Sequence, residues 1–391
     1  MNQKIYITLF LTIMSTAMGA SIVLPLLPVY AVQMGATGFE LGLIFSGFAL
    51  ARSIFLPLVG QWADQYGRRV FLLTGLTIYT GIALAFSLAE TVYQLVLCRF
   101  VQGAGAAMVI PIARAYVGDL TPPGQEGRLM GHFNIAFFGG LACGPWLGGF
   151  IKDYVGLGFA FYSMAALSLA GLALAFVNLP RQGKKRFDLE KKSGGSYLGL
   201  LGFPGVLPIF LFRFGTIIGL GVNWTFLPIL GYEQLRLSST RIGILVSLTV
   251  VMTTLMQPFF GRLADKVDRS RMAMVGGVLA SLCLLAAPFT ISFYQLFVVN
   301  LVMGAAIGVY MPPLMAIAVD AGRASGFMNK VMSLLEMAFS FGMVIGPLLA
   351  GLIKETLGLR AIFWFGGGVG LLSCLTLLLP SPGRATAARS G

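Results

Sequence analysis

The sequence predicts an all-α membrane protein in which twelve transmembrane helices form two pseudo-symmetric six-helix bundles. Three observations predict it. Of 391 residues, 57% are hydrophobic and only 10% are charged, against about 25% charged in a soluble domain. Apolar runs of about 20 residues recur from end to end, each long enough to cross a bilayer as a helix. Finally, the chain repeats itself at a near-constant offset. Pro57 and Gly60 return as Pro258 and Gly261, and the run Tyr93 to Leu95 returns at Tyr294 to Leu296, each 201 positions on. Gly144-Pro145 returns as Gly346-Pro347, and Ile151-Lys152-Asp153 as Ile353-Lys354-Glu355, each 202 positions on. Asp119 likewise pairs with Asp320. Backbone in lipid must hydrogen-bond internally, which a helix does by itself. The alternation of a lipid-facing β-barrel is absent.

The spans follow in order. Span 1, residues 5–32, runs too long for a signal-peptide core and lacks a small-residue cleavage site at its end. Span 2, 40–62, lies between Glu40 and the polar run GQWADQYGRR at Gly60 to Arg69. Spans 3 and 4, 70–89 and 93–117, precede a short polar break. Span 5, 128–151, contains GLACGPWLGG, and span 6 covers 157–179. The charged run RQGKKRFDLEKKSGGSY, Arg181 to Tyr197, then reads as a linker. It separates an N-terminal bundle (1–180) from a C-terminal one (199–391), with 181–198 between them. Spans 7 and 8, 203–231 and 241–262, lead into GRLADKVDRSR, the second copy of the polar run. Spans 9 to 12 cover 271–289, 294–318, 328–353 and 358–380.

The net charge of +13 is a topology signal. Most of the 27 Lys and Arg fall on the side that carries both ends of the chain. Only Lys152, Arg236, Arg241, Lys354 and Arg360 fall on the other, and Arg52, Arg99 and Arg213 lie within spans. The positive-inside rule therefore places both termini in the cytoplasm of a cell (inner) membrane protein, with no nucleic-acid partner. Cys98, Cys143, Cys283 and Cys374 all lie in spans, at spacings that suit neither a metal site nor a disulfide framework. The run Gly-x-x-x-x-Gly-Lys-Ser/Thr for binding ATP phosphates does not occur. No nucleophile–base pair marks an enzyme.

GQWADQYGRR resembles the signature loop between spans 2 and 3 of the major facilitator superfamily, Gly-x-x-x-Asp-x-x-Gly-Arg-Arg. The resemblance covers essentially the whole chain. The second copy departs from it, with Asp268 in place of the glycine. RFVQGAGAA, from Arg99, resembles the span 4 signature of that family, Arg-x-x-Gln-Gly-x-Gly. Span 5, with Gly140, Gly144, Pro145, Gly148 and Gly149, resembles the pattern of its antiporter branch. The resemblance implies a secondary transporter that exports a small lipophilic compound in exchange for protons, as multidrug exporters do. Two parallel six-helix repeats would hold the site near mid-membrane. A symporter importing a sugar or organic acid, a lipid or glycolipid flippase, and a transport-inactive sensor are the alternatives. A monomer in the lipid bilayer is expected, acting on a small-molecule substrate and protons, with no cofactor beyond the proton gradient and no metal.

Individual residues take roles within that frame. In the loop, Gly60 would allow close helix approach and Gly67 a tight turn. The resemblance implies that Asp64 meets the positive end of span 11 near Phe327. Arg68 and Arg69 are expected to pair with Asp119 or Glu126, with Asp265 as the counterpart of Asp64 in the second copy; Arg269 and Arg271 read as topology charges. Each such contact is worth about 1 kcal/mol near water. Proline kinks a span and glycine admits a close neighbour, so Gly346 and Pro347 in span 11 answer to the span 5 motif. Intramembrane charges are costly and usually face a cavity or a partner. Glu336 is the only acid well within a span, about 9 Å past Lys330, and is the candidate proton carrier or substrate ligand, or else half of a structural ion pair. Its mate 202 positions back is Asn134. Arg52, Arg99, Arg213, Gln102 and Asn223 complete the expected cavity. Span 1 carries no acid, so one acid against three arginines could favour neutral or anionic substrates. Asp64→Asn should lower turnover far more than substrate binding in a transport assay; a collapse of affinity instead would exclude the gating role.

Overall fold

The computed structural model describes residues 3–120, 126–179 and 197–379. Its α-helices are α1 (Gln3–Gln33), α2 (Gly38–Tyr66), α3 (Arg68–Ser87), α4 (Val92–Leu120), α5 (Glu126–Tyr154), α6 (Leu157–Asn178), α7 (Tyr197–Leu201), α8 (Val206–Ile229), α9 (Ser239–Ala264), α10 (Arg269–Ala286), α11 (Phe293–Ser325), α12 (Met328–Leu357) and α13 (Leu359–Leu375). There is no strand among the described residues. All but the five-residue α7 are long and apolar enough to cross a membrane. Spans 1–6 are thus α1–α6, and spans 7–12 are α8–α13. The expected linker, 181–198, lies outside the described residues except for its last two, which open α7.

Local chemistry sets the helix ends. Thr37 and Glu40 form a reciprocal capping box at the start of α2. Gly67 takes φ 95°, which an L side chain rarely adopts, and so joins α2 to α3 as the single residue between them. The helix α11 runs to Ser325, beyond the expected 318: the polar stretch from Val319 to Ser325 contains no proline, and the helix ends where Gly326 takes φ 72°.

The chain divides into two compact units, one of Met1–Leu189 with Gly231–Ser247 and the other of Glu190–Leu230 with Leu248–Gly391. A division at the linker alone would have left residues 231–247 with the C-terminal helices. They group instead with the first unit, because the start of α9 is hydrogen-bonded to the end of α5.

Within the first unit, α5 lies directly on the backbone of α1. A Cβ at Gly140 would meet Met14 O and Met18 N, one at Gly144 would meet Ser21 Oγ and Met18 O, and one at Gly148 would meet Ile22 O. The Ser21 hydroxyl donates to Gly140 O at 3.3 Å across the same seam. Gly103 of α4 is pressed against Phe48 O of α2. In the second unit α12 lies on α8 in the same way, with Gly342 against Ile217 and Gly346 against Ile218. There α11 meets α9 through Gly304 against Thr249 O and Gly308 against Met256. Each unit therefore uses small residues to bring backbones together where lipid supplies no hydrophobic drive between helices.

Gly60 does not share that role. Nothing among the described residues lies within 4 Å of the position its Cβ would take, so the close approach expected there is not made by them. It sits late in α2, past the crossing with α4 at Gly103. Gly144→Val should cost about 3 kcal/mol or more, because the clash is with backbone; Gly60→Ala should shift stability by no more than about 0.5 kcal/mol. Thermal unfolding of the purified variants in detergent checks both, and equal melting points would overturn the packing assignment.

Candidate functional site

In the first unit, the spacing Arg-x-x-Gln puts Arg99 and Gln102 one turn apart on α4. Gly103 draws α2 close enough for two of its aromatic rings to reach Arg99. The guanidinium lies 4.5 Å from the Phe48 ring centre and 5.1 Å from that of Phe45. It donates from Nε to Ile44 O at 3.4 Å and from Nη1 to Gln102 Oε1 at 2.7 Å. Arg99 is only 4% exposed and Gln102 is 0% exposed. Desolvated cation–π contacts contribute about 2 kcal/mol, which helps hold a charge that deep. Gln102 thus orients Arg99, and its own Nε2 is buried with no hydrogen-bond partner among the described residues. Arg52, one turn beyond Phe48, is half-buried, and its Nε also lacks a partner. Tyr79 of α3 is buried within electrostatic reach of both arginines.

In the second unit, Arg213 of α8 is 6% exposed. It donates to Met311 Sδ at 2.7 Å and lies 5.4 Å from the Phe339 ring centre. Glu336 of α12 lies within electrostatic reach of it, on a face of the helix that the rest of the unit leaves exposed. Tyr310 is buried beside the same arginine, edge-on to Phe212 at 5.6 Å. Asn223 is buried in α8, and Asn134 is exposed on α5. Neither hydrogen-bonds to a member of the two arginine clusters.

The two polar loops are built differently. The side chains of Asp64, Asp119 and Glu126 lie outside the described residues. Arg68 donates to Ala115 O at 2.6 Å, and Arg69 donates to Phe176 O at 2.6 Å with its guanidinium over the Phe176 ring. In the second loop Arg269, which reads from sequence as a topology charge, bridges Asp265 at 3.5 Å and Asp320. Arg269 and Asp320 stand 201 positions after Arg68 and Asp119, so the pairing expected of the first loop is seen in its repeat. Asp268, which replaces the turn glycine, caps α10 by accepting from Arg271 N at 2.9 Å.

One contact escaped the sequence reading. Asp153, at the end of α5, accepts from Ser239 N at 3.0 Å and from Thr240 N and Oγ1 at 2.7 Å each. Its carboxylate thus sits on the positive N-terminus of α9. The neighbouring Lys152 donates to the Ser239 hydroxyl at 2.5 Å. Trp146 N donates to Ser247 Oγ at 3.2 Å further along. Gly149 against Ser239 O, and Gly243 against Pro145 O, let the two backbones touch. Gly149 therefore serves α9, whereas Gly140, Gly144 and Gly148 serve α1. The signal was present only as the recurring Ile-Lys-Asp/Glu, whose purpose a linear sequence does not reveal.

A family model described as Major Facilitator Superfamily matches residues 9–213 and 209–391. An uncharacterized MFS-type transporter of Methanocaldococcus jannaschii is 26% identical over 385 residues, covering 96% of this chain and 98% of its own. Multidrug resistance protein 2 of Bacillus subtilis is 24% identical, covering 94% of this chain and 93% of its own. Quinolone resistance protein NorA of Staphylococcus aureus is 24% identical, covering 98% of each. Among solved structures, the nucleoside transporter NupG aligns with a TM-score of 0.79 at 14% identity, over 96% of this chain and 99% of its own. A bacterial homolog of the human lysosomal transporter Spinster aligns at 0.75 and 16% identity, over 95% of this chain and 94% of its own. At such identities the structural likeness shows the fold.

Asp153→Asn should weaken the hold of α5 on α9 by about 1 kcal/mol or a little more, since the carboxylate is exposed to water. Hydrogen exchange at the Ser239 and Thr240 amides should accelerate accordingly; unchanged exchange would show that the carboxylate does not hold them.

Proposed function

The chain belongs to the major facilitator superfamily, and from that membership we propose that it exports a small lipophilic compound in exchange for protons by alternating access. It is a multi-pass membrane transporter and not an enzyme. The observation that carries the proton-coupled reading is Glu336, an acid well within a membrane helix and in electrostatic reach of Arg213. When Glu336 is ionised the two attract. A proton on the carboxyl cancels that attraction, and the cost of keeping Arg213 buried changes with it. A ligand shifts a two-state equilibrium only by its differential interaction with the two states; in this reading the two states differ in how near Glu336 lies to Arg213, and the proton acts through that difference.

Export is supported by two further points. The relatives named for multidrug and quinolone resistance align over nearly the whole chain. The glycine seam of α5 on α1 is built from the same residues that resemble the antiporter pattern. In this reading the cycle draws on the proton gradient across the cell membrane. The chain acts as a monomer with cytoplasmic termini and takes no cofactor. Arg52, Arg99 and Gln102 line or support the substrate side. Asp64, Gly67, Arg68, Arg69, Asp119 and Asp265 belong to the loops that bias the cycle.

In proteoliposomes carrying a pH gradient, Glu336→Gln should abolish gradient-driven transport while substrate-for-substrate exchange survives. Undiminished pH-driven transport by the variant would remove Glu336 from the proton path.

A further inference from the structure

The repeat supplies an internal control on the arginine cluster of the first unit. The positions 201 after Arg52, Tyr79, Arg99 and Gln102 are Thr253, Ala280, Asn300 and Met303, none of them charged. In the second unit the corresponding crossing of α9 and α11 is closed by satisfied neutral groups. Asn300 Oδ1 accepts from Thr249 Oγ1 at 3.2 Å, and its Nδ2 donates to Leu296 O at 2.8 Å. Thr253 Oγ1 donates to Gly304 O at 2.9 Å. The scaffold therefore closes this crossing without arginine.

The first unit places two guanidinium groups at that crossing, and neither forms an ion pair with an acid among the described residues. Such charges are costly within a membrane protein unless something answers them. The missing partners are all acceptors. Arg52 Nε and Gln102 Nε2 are buried donors with no acceptor among the described residues. Arg99 spends Nε and Nη1 on Ile44 O and Gln102 Oε1, and its remaining N–H groups make no bond within the described protein. Phe45, Phe48 and Tyr79 surround these donors with apolar and aromatic surface. An acceptor-only group carrying negative charge suits them, and the planar fork of a guanidinium matches a carboxylate bidentately.

We propose that Arg52, Arg99 and Gln102 form the seat for an organic anion, a carboxylate on a lipophilic body, with Arg52 as its principal partner. The inference rests on the transporter reading above and narrows its substrate from a lipophilic compound to a lipophilic carboxylate. The seat is confined to the first unit, so it does not depend on Glu336.

The test measures binding of 1-naphthoate, indole-3-acetate and decanoate at pH 7 by calorimetry, each against its neutral primary amide, with the purified protein in nanodiscs. At least one carboxylate should bind tenfold or more tightly than its amide. Arg52→Gln should bring that ratio to within twofold of one. Arg52→Lys keeps the charge but loses the fork, and should lower the ratio severalfold; it also serves if the glutamine variant does not fold. The proposal is wrong if no carboxylate is preferred over its amide, if the corresponding amines bind best, or if the Arg52 variants keep the wild-type ratio. Binding of a short-chain phosphatidylglycerol with no preference for any carboxylate would assign the arginines to a lipid phosphate and overturn the carboxylate reading. Carboxylate preference without pH-driven transport would leave the seat standing and remove proton-coupled export. Transport of a neutral or cationic compound down the pH gradient, indifferent to Arg52→Gln, would do the reverse.

Discussion

In hydrocarbon a peptide group has no water to bond, so every crossing segment must satisfy its own backbone, and helices then have little reason to associate. What holds them is close contact. In this protein that contact is made by glycines set four apart. Gly140, Gly144 and Gly148 lay α5 on the backbone of α1, and Gly342 and Gly346 lay α12 on α8. Side chains elsewhere in each unit are positioned by these seams. Ser21, for example, reaches Gly140 O only because no Cβ stands between the helices. A helix pair joined through backbone contact keeps its register, because a shift by one residue would drive a Cβ into a carbonyl.

The same scaffold occurs twice with different electrostatics. Where α4 crosses α2, Arg99 lies against Phe45 and Phe48; where α11 crosses α9, Asn300 bonds Thr249. Glycines occupy matching positions in the two crossings, at Gly103 and Gly304. Packing has therefore been retained while charge has diverged. One unit holds a pair of arginines with aromatic walls, and the other holds an arginine with a carboxyl in reach. Two copies of one packing solution leave each copy free to specialise in the groups it presents.

The charged contacts at helix ends are of another kind. Arg269 with Asp265 and Asp320, and Asp153 on the start of α9, lie near water, where a single contact contributes about 1 kcal/mol or a little more. That is enough to bias an equilibrium and too little to lock it. Backbone seams inside the units and weak polar clasps at helix ends are two different kinds of contact, the first set by shape and the second by charge near water.

The twelve helices and their approximate bounds were readable from hydropathy alone, because bilayer thickness imposes a length and lipid excludes charge. The twofold repeat was readable from the spacing of Gly, Pro and acidic residues, and Gly67 from the demand of a turn with positive φ. Three things needed the tertiary structure. Gly60 and Gly144 look alike as small residues beside a helix, yet only the second has a neighbour, since whether a glycine meets another backbone depends on where that backbone runs. Asp153 reads as a terminal acid until the start of α9 is brought to it, 86 residues away in sequence. Tyr79 carries no charge and so gives no signal inside a greasy span, although it lies beside two arginines. Local chemistry and solvent are written residue by residue along the chain; which buried donors converge, and which of them go unanswered, is decided by helices far apart in sequence and adjacent in space.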